Sequence, residues 1–218
     1  MKKRIIILFI SIVIIILTGF SLIYTVVLPL KNNESEITLG IIDGNLSMSH
    51  KNVFNSVNVL TEKEKQHGDL VLFFMEKYDS NVKIAYYDAE KNDKITTESL
   101  IAGLNWMIDN KVNCVCISLS SAYYSEELET WINKHHEEIT IYASYSNLYN
   151  TVDYPAQYAN VIGVGSGSRV AYKENDTKYR TNKILLIRNG IYLFNGNSYL
   201  APMQMVSDKR KENVYGKD

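Results

Sequence analysis

Four polar residues that lie far apart along the chain could together carry out acyl transfer. Asp43 directly follows the apolar run ITLGII, His67 precedes Gly68 at the start of a predicted helix, and Ser198 lies in GNSYLAP before another. A serine hydroxyl becomes a nucleophile when an imidazole accepts its proton and a carboxylate holds that imidazole in place. The chain order Asp, His, Ser is one of the known orders for such a unit. Asn147, in a polar loop after ITIYA, could donate its amide N–H to the oxyanion.

Each of these residues taken alone has a simpler interpretation. Asp43 beside a glycine is typical of a turn, and Ser198 before a helix is typical of an N-cap. His67 alone fits an exposed or capping histidine, and asparagines such as Asn147 are common in loops. The prediction of a catalytic site therefore depends on the four residues as a set.

The elements that must position these residues alternate between strands and helices. Strands are predicted at 37–42, 82–87, 112–119, 139–143 and 161–164. Helices are predicted from His67, from Thr96 or Thr97, over 126–136 and from about Ser198, and a hairpin is predicted with strands 184–187 and 191–194. Such alternation predicts an α/β fold with an open, mostly parallel sheet covered by helices. Polar residues that follow the strands then gather at the carboxyl edge of the sheet.

Five sequence blocks, in order over about residues 37–205, resemble those of the subtilisin-like serine proteases, or subtilases. They are IIDGNLSMSHKNV, HGDLV, LNWMIDNKVNCVCISLS, YASYSNLYNTVDYPAQYANVIGVGS and FNGNSYLAP. The resemblance implies a subtilisin-like three-layer fold and peptide-bond hydrolysis. It places the catalytic residues at Asp43, His67 and Ser198 and the oxyanion amide at Asn147. It also implies that Ser118, Leu119 and Ser120 bind the substrate peptide as an added strand.

The sequence departs from the family pattern close to these positions. Asn197 stands where the family has a threonine before the nucleophile, Leu70 replaces a second histidine, and Ser120 replaces a glycine. Only twenty residues follow Ser198, so the C-terminal elements of the family are expected to be shortened. These departures leave an alternative function open. A catalytically impaired relative could act as a peptide-binding or regulatory module.

The first thirty residues predict a membrane anchor. Lys2, Lys3 and Arg4 precede a stretch without charge from Ile5 to Leu30, and its apolar part exceeds the roughly 20 residues that cross a bilayer as a helix. We expect a signal anchor or transmembrane helix over 1–30, with a cleaved signal peptide as the alternative. The basic cluster favours a cytoplasmic N-terminus and an extracellular domain at the cell membrane. A polar linker at 31–36 and a peptidase domain at 37–218 are expected to follow.

The charge and the cysteine content argue against a nucleic-acid-binding protein and against a metal site. Outside residues 1–30 the chain carries 20 basic and 24 acidic residues, so no basic surface for nucleic acid is expected. Cys114 and Cys116 lie in a predicted strand, where alternation places both thiols on one face. We expect two buried free thiols, no metal ion and no cofactor. The expected partners are the membrane and a peptide or protein substrate. Together these features predict a membrane-anchored extracytoplasmic serine endopeptidase.

Overall fold

A parallel sheet between two layers of helices forms the centre of the fold. The computed structural model describes residues 2–23, 25–27, 30, 36–57, 66–146, 153–165, 177–178, 182–187 and 190–215. The helices are α1 Lys2–Ile23, α2 His67–Tyr78, α3 Thr97–Asp109, α4 Glu126–His135 and α5 Asn197–Tyr215. The strands are β1 Thr25–Val27, β2 Ile37–Asp43, β3 Val53–Val57, β4 Val82–Asp88, β5 Glu90–Lys91, β6 Lys94–Ile95, β7 Cys114–Ile117, β8 Thr140–Ser144, β9 Val161–Gly165, β10 Thr177–Lys178, β11 Asn182–Ile187 and β12 Gly190–Asn195.

The main sheet has seven strands in the order β10-β9-β8-β7-β2-β4-β3. All of its strand pairs are parallel. The strands therefore end at one edge, where Asp43 closes β2, Ser118 follows β7, and Tyr145 follows β8. This arrangement confirms the predicted mostly parallel sheet and puts the polar residues of three neighbouring strands side by side.

Two apolar layers hold the helices on the sheet. On one face, buried residues of α2 and α5, including Met75, Leu200 and Val206, pack with Leu39 and Ile41 of β2. On the other face, buried residues of α3 and α4 pack against the sheet, among them Leu104, Met107, Leu128 and Ile132. The predicted three-layer architecture is confirmed.

The starts of α3 and α4 are set by capping side chains. Thr96 accepts a hydrogen bond from the N–H of Ser99 at 3.2 Å, and the Ser99 hydroxyl accepts one from the Thr96 N–H at 3.0 Å. Ser125 caps α4 in the same way through the N–H of Leu128, at 3.2 Å. These bonds satisfy N–H groups that have no partner within a helix, so polar residues at these positions fix where each helix begins.

The short strands were largely missed by the sequence analysis. β11 and β12 form the expected antiparallel hairpin, and β1 pairs with β11 in parallel to make a separate three-stranded sheet. Strand β3, the small hairpin β5–β6 and strand β10 were not expected, and neither was β1, which lies within the predicted anchor at 1–30. They contain only two to five residues each, which is too few for a recognisable alternation of polar and apolar residues.

Residues Lys2–Ile23, within the predicted anchor, form helix α1, and the large apolar side chains from Ile6 to Leu17 are exposed. Within the residues that the structure describes, no helix combines the length and the hydropathy that a membrane crossing requires. The predicted transmembrane helix is not confirmed by this finding.

The two cysteines are free thiols that lie in one layer of the core, as expected. Cys114 is 4% exposed and Cys116 is fully buried, and both pack with residues of α2 and α5. Burial disfavours the thiolate, and it raises the pKa of Cys114 to about 12 and the pKa of Cys116 further still.

We expect neither thiol to react with a thiol-specific aromatic disulfide at about pH 8 while the chain is folded, because the thiolate is the reactive form. Both should react in concentrated urea, which serves as the positive control. Absorbance of the released chromophore measures the reaction. Rapid labelling of one or both thiols in the folded chain would contradict the buried position of β7.

Candidate active site

A hydrogen bond between Asp43 and His67 joins the end of β2 to the start of α2. The Nδ1 atom of His67 lies 2.8 Å from Oδ1 and 3.0 Å from Oδ2 of Asp43. Asp43 is fully buried, and its Oδ1 also accepts a hydrogen bond from the N–H of Gly44 at 2.7 Å. The side chain of His67 is 42% exposed. A buried carboxylate thus orients an imidazole whose other edge is open.

This geometry fixes which nitrogen of His67 carries the proton. An ionised carboxylate can only accept hydrogen bonds, so Nδ1 must be the donor to Asp43. In the neutral imidazole, Nε2 is then the nitrogen with a free lone pair. His67 is therefore prepared to accept a proton through Nε2.

The environment also changes the acidity of His67. Burial disfavours the imidazolium and lowers its pKa, but the hydrogen bond to Asp43 and the charge of that carboxylate raise it by more. The net pKa lies above the ordinary value of 6.5. The imidazolium that forms after a proton transfer is therefore stabilised by Asp43.

Ser198 is the second residue of α5, at a sharp turn between β12 and the helix. Gly196 makes this turn with φ of 140°, a backbone conformation that residues other than glycine rarely adopt. The first N–H groups of a helix have no partner within it, and the helix dipole favours negative charge there. The backbone around Ser198 therefore suits an oxyanion.

Predicted site residues from β2, α2 and α5 line one cavity of about 190 Å³. Its lining includes all three candidate catalytic residues, together with the segment that follows β7. The lining residues are Asp43, Gly44, His67, Glu90, Ile95, Ser118, Leu119, Ser120 and Ser198. One opening thus adjoins His67, Ser198 and the predicted substrate-binding segment, with the buried Asp43 behind the imidazole.

Asn197 ties the start of α5 to the end of β8. Its Nδ2 donates to the carbonyl oxygens of Tyr145 at 3.1 Å and of Ser146 at 2.8 Å, and the residue is 1% exposed. The side chain therefore points into the protein and leaves the cavity open. It also fixes the position of the chain immediately before residue 147.

The sequence pattern of the Subtilase family matches residues 36–210, which is most of the chain and includes all the elements of this site. The chain belongs to the subtilase family of serine proteases. No curated protein sequence matches this subtilase.

Solved structures show the same fold at low sequence identity. A cold-adapted subtilisin-like serine proteinase superposes with a TM-score of 0.64 at 17% identity, covering 88% of this chain and 83% of that one. The nisin leader peptidase NisP from Lactococcus lactis gives a TM-score of 0.62 at 13% identity, with coverages of 85% and 80%. A lanthipeptide protease gives 0.58 at 12% identity, with coverages of 84% and 75%.

The structure brings most of the predicted site residues of this subtilase together. Asp43 and His67 are bonded to each other, and Ser198 and the segment Ser118–Ser120 line the same cavity. Asn147, the predicted oxyanion residue, lies outside the described residues, although Ser146 directly before it is held by Asn197.

A second polar network beside the site was missed by the sequence analysis. Asp69, in the first turn of α2, accepts hydrogen bonds from the hydroxyl of Ser47 at 2.6 Å, the N–H of Gln66 at 2.8 Å and Nε2 of His50 at 3.0 Å. We call Ser47, His50, Asp69 and Glu76 the clamp, because they join the loop after Asp43 to the helix that begins with His67. The signal in the sequence was a charged residue at 69, where the family pattern has a threonine.

The clamp favours a protonated His50. Its Nε2 bonds to Asp69, and its Nδ1 lies 3.7 Å from Oε1 of Glu76, so both ring nitrogens face carboxylates. Burial lowers the pKa of His50, but Glu76 and Asp69 together raise it above 6.5. Burial raises the pKa of both carboxyls, but hydrogen bonds lower them by more.

Tyr199 is a further neighbour that only the structure shows. Its ring lies 5.9 Å from the ring of His67 at 28°, and 4.9 Å from the ring of Phe74. It therefore supports one side of the imidazole from α5 and is absent from the described lining of the cavity.

The clamp predicts a pH-dependent contribution to stability. The contribution of His50 to the free energy of unfolding is complete below pH 6.5 and is lost as the pH rises through the folded-state pKa of His50. The contributions of Asp69 and Glu76 are lost in acid, as the pH falls through their folded-state pKa values. We expect His50→Gln to lower the free energy of unfolding by about 1–3 kcal/mol at about pH 6 and by less at about pH 9. Denaturant unfolding of the full chain at both pH values measures this.

His136→Gln is the matched control, since His136 is exposed just after α4 and faces no carboxylate of the clamp. Its effect should be small at both pH values. A cost of His50→Gln that is equal at both pH values, or greater in alkali, would contradict the network.

Proposed function

We propose that this subtilase hydrolyses peptide bonds by acyl transfer at Ser198. The observation that carries the proposal is the hydrogen bond from His67 to the buried Asp43, beside the same cavity as Ser198. A hydroxyl, a base and a carboxylate that orients the base are the three groups that this reaction needs.

In the proposed reaction, the Ser198 hydroxyl oxygen attacks the substrate carbonyl carbon while Nε2 of His67 takes the hydroxyl proton. Asp43 remains ionised and stabilises the imidazolium. The negative charge on the carbonyl oxygen is stabilised by the N–H of Ser198 and by the Asn147 amide. His67 then gives the proton to the leaving amine. In the second half, water attacks the acyl-serine ester, with His67 again accepting and returning a proton, so that Ser198 is regenerated.

The segment Ser118–Ser120 is the proposed platform for the substrate backbone. It continues β7 at the carboxyl edge of the sheet and lines the cavity, while Ser121 beyond it is already paired with Tyr154. An extended peptide can add itself to such a segment through main-chain hydrogen bonds. Substrate binding along this segment would place the scissile carbonyl next to Ser198.

The alternative of an inactive peptide-binding module requires an obstructed or dismantled site. A side chain of Asn197 or Tyr199 filling the cavity would favour that alternative. Asn197 instead bonds to two carbonyl groups of the protein, and Tyr199 packs between His67 and Phe74. The contacts of Asn197 and Tyr199 therefore support the proposal of an unobstructed site.

We further propose that the substrates are exported peptides or cell-surface proteins, with the leader of a secreted peptide as one candidate. Two of the similar structures are named as a lanthipeptide protease and a nisin leader peptidase. The proposed location is the outer face of the cell membrane, with residues 1–30 as the anchor. The support for it is the sequence, in which three basic residues precede an uncharged stretch up to Leu30.

Catalysis predicts a defined response to substitutions and pH. The rate constant kcat/KM of the full chain should rise with pH through a value above 6.5, because His67 must be neutral to act as a base. Ser198→Ala should abolish turnover. Asp43→Asn should reduce kcat by about 10³–10⁴ and move the midpoint to lower pH, since the raising effect of the carboxylate is removed.

Ser49→Ala, at an exposed position outside the cavity lining, is the matched control and should keep the wild-type rate. Hydrolysis of a fluorogenic peptide library provides the measurement. Turnover of Ser198→Ala at the wild-type rate would show that another group is the nucleophile.

Membrane anchoring predicts that the full chain stays in the membrane pellet after an alkaline carbonate wash. A variant with lysine at Leu8 and Ile15 should be released, because two charges in the apolar run oppose insertion. Mass spectrometry of the recovered chain distinguishes an intact anchor from a cleaved signal peptide. Release of the unmodified, uncleaved chain by the wash would contradict the proposal.

A further inference from the structure

A second, larger cavity adjoins the one that contains Ser198. Its volume is about 490 Å³, and it shares Glu90, Ile95, Leu119 and Ser120 with the smaller cavity. A peptide that lies along Ser118–Ser120 would therefore extend from one cavity into the other. The residues shared by both cavities lie where a side chain close to the scissile bond would be placed.

Glu90 is the only ionisable residue among these four, and its position is fixed by the hairpin β5–β6. Asn92 and Asp93 turn the chain with φ of 52° and 57°, and Glu90 pairs with Ile95. These two side chains share one face of the hairpin, because successive residues of a strand alternate between faces. Lys91 and Lys94, which pair with each other, share the opposite face.

The carboxylate of Glu90 lies against the turn that follows Asp43. A Cβ atom at Gly44 would come within 2.6 Å of Oε2 of Glu90, so the absence of a side chain at 44 makes room for this carboxylate. No salt bridge to Glu90 occurs among the residues that the structure describes. Its charge is therefore available to a ligand in the cavity.

The charged residues that line the larger cavity are acidic. The described lining of the larger cavity includes Glu90 and Asp93 but no lysine, arginine or histidine. Burial raises the pKa of the nearby Asp88 carboxyl, and the negative charges of Glu90 and Asp43 raise it further. A hydrogen bond from the Glu90 N–H lowers this pKa by less, so the net pKa is raised. A positive side chain would be attracted here and a negative one repelled.

Tyrosine residues also line the larger cavity. Tyr124 lies with its ring centroid 5.4 Å from that of Tyr154 and 6.0 Å from that of Tyr158, and Tyr123 is 86% exposed. Ring faces attract lysine and arginine, and their apolar surface also fits the methylene stem of these side chains. Carboxylate and rings thus favour the same class of ligand.

We propose that Glu90 makes this subtilase select substrates with a lysine or arginine close to the scissile bond. The inference rests on the proposed peptide hydrolysis and specifies its substrate class. Glu90 contacts the basic side chain of the substrate and takes no part in bond making. Because a partly exposed ion pair contributes modestly, the expected preference for lysine or arginine over glutamine at one position is about three- to tenfold, and larger over glutamate.

The test uses the full chain and a peptide library in which each position around the cleaved bond is varied among lysine, arginine, glutamine and glutamate. The wild type should favour a basic residue at one position, and this preference should shrink as salt is added. Glu90→Lys should reverse the preference to glutamate, and Glu90→Gln should remove it. Glu137→Lys is the matched control, because Glu137 is exposed near the opposite edge of the sheet, just before β8.

Separate outcomes test the selectivity and the catalysis. Cleavage without a charge preference would overturn the role of Glu90 while the proposed hydrolysis stands. A charge preference that Glu90→Lys leaves unchanged would do the same. If the wild type cleaves no peptide, the proposed hydrolysis is wrong. Binding of the same library to the Ser198→Ala variant, measured by fluorescence anisotropy, then tests the role of Glu90 alone. Tighter binding of basic peptides that Glu90→Lys reverses would support the inference, and equal binding of all peptides would overturn it.

Discussion

The hydrogen bond between the buried Asp43 and His67 is the interaction on which the rest of the site depends. A fully buried carboxylate is costly unless its oxygens are satisfied, and here the N–H of Gly44 and Nδ1 of His67 satisfy them. The same bond selects the imidazole tautomer and raises the pKa of His67. The stability of the carboxylate and the basicity of the imidazole therefore have one physical cause.

Keeping this bond requires the end of β2 and the start of α2 to stay together. Asp69 binds the loop after β2 from within α2, and the hydroxyl of Tyr86 donates a hydrogen bond to the carbonyl of Gly44. Gly68 allows the helix to approach that hydroxyl, because a side chain at 68 would collide with it. The residues next to Asp43 and His67 thus act as supports, which explains why polar groups there are buried but bonded.

The sequence was sufficient to predict the long elements and the positions of the catalytic candidates. β2, β4, β8 and β9 are apolar strands that each end near a polar residue, and this pattern fixes the carboxyl edge. The clamp and Glu90 could not be predicted in the same way. Asp69 and His50 are nineteen residues apart, and their pairing depends on how α2 packs beside the loop. The two-residue strand that holds Glu90 has no periodicity to detect.

The most direct measurement of the central claim is the reaction of the full chain with a fluorophosphonate, followed by peptide mapping of the adduct. Such reagents phosphonylate a serine whose hydroxyl is activated by a neighbouring base. If Asp43 and His67 activate Ser198, one adduct should form per chain, on Ser198, and its rate should fall sharply in His67→Ala. An unmodified chain, or an adduct on another residue, would contradict the account.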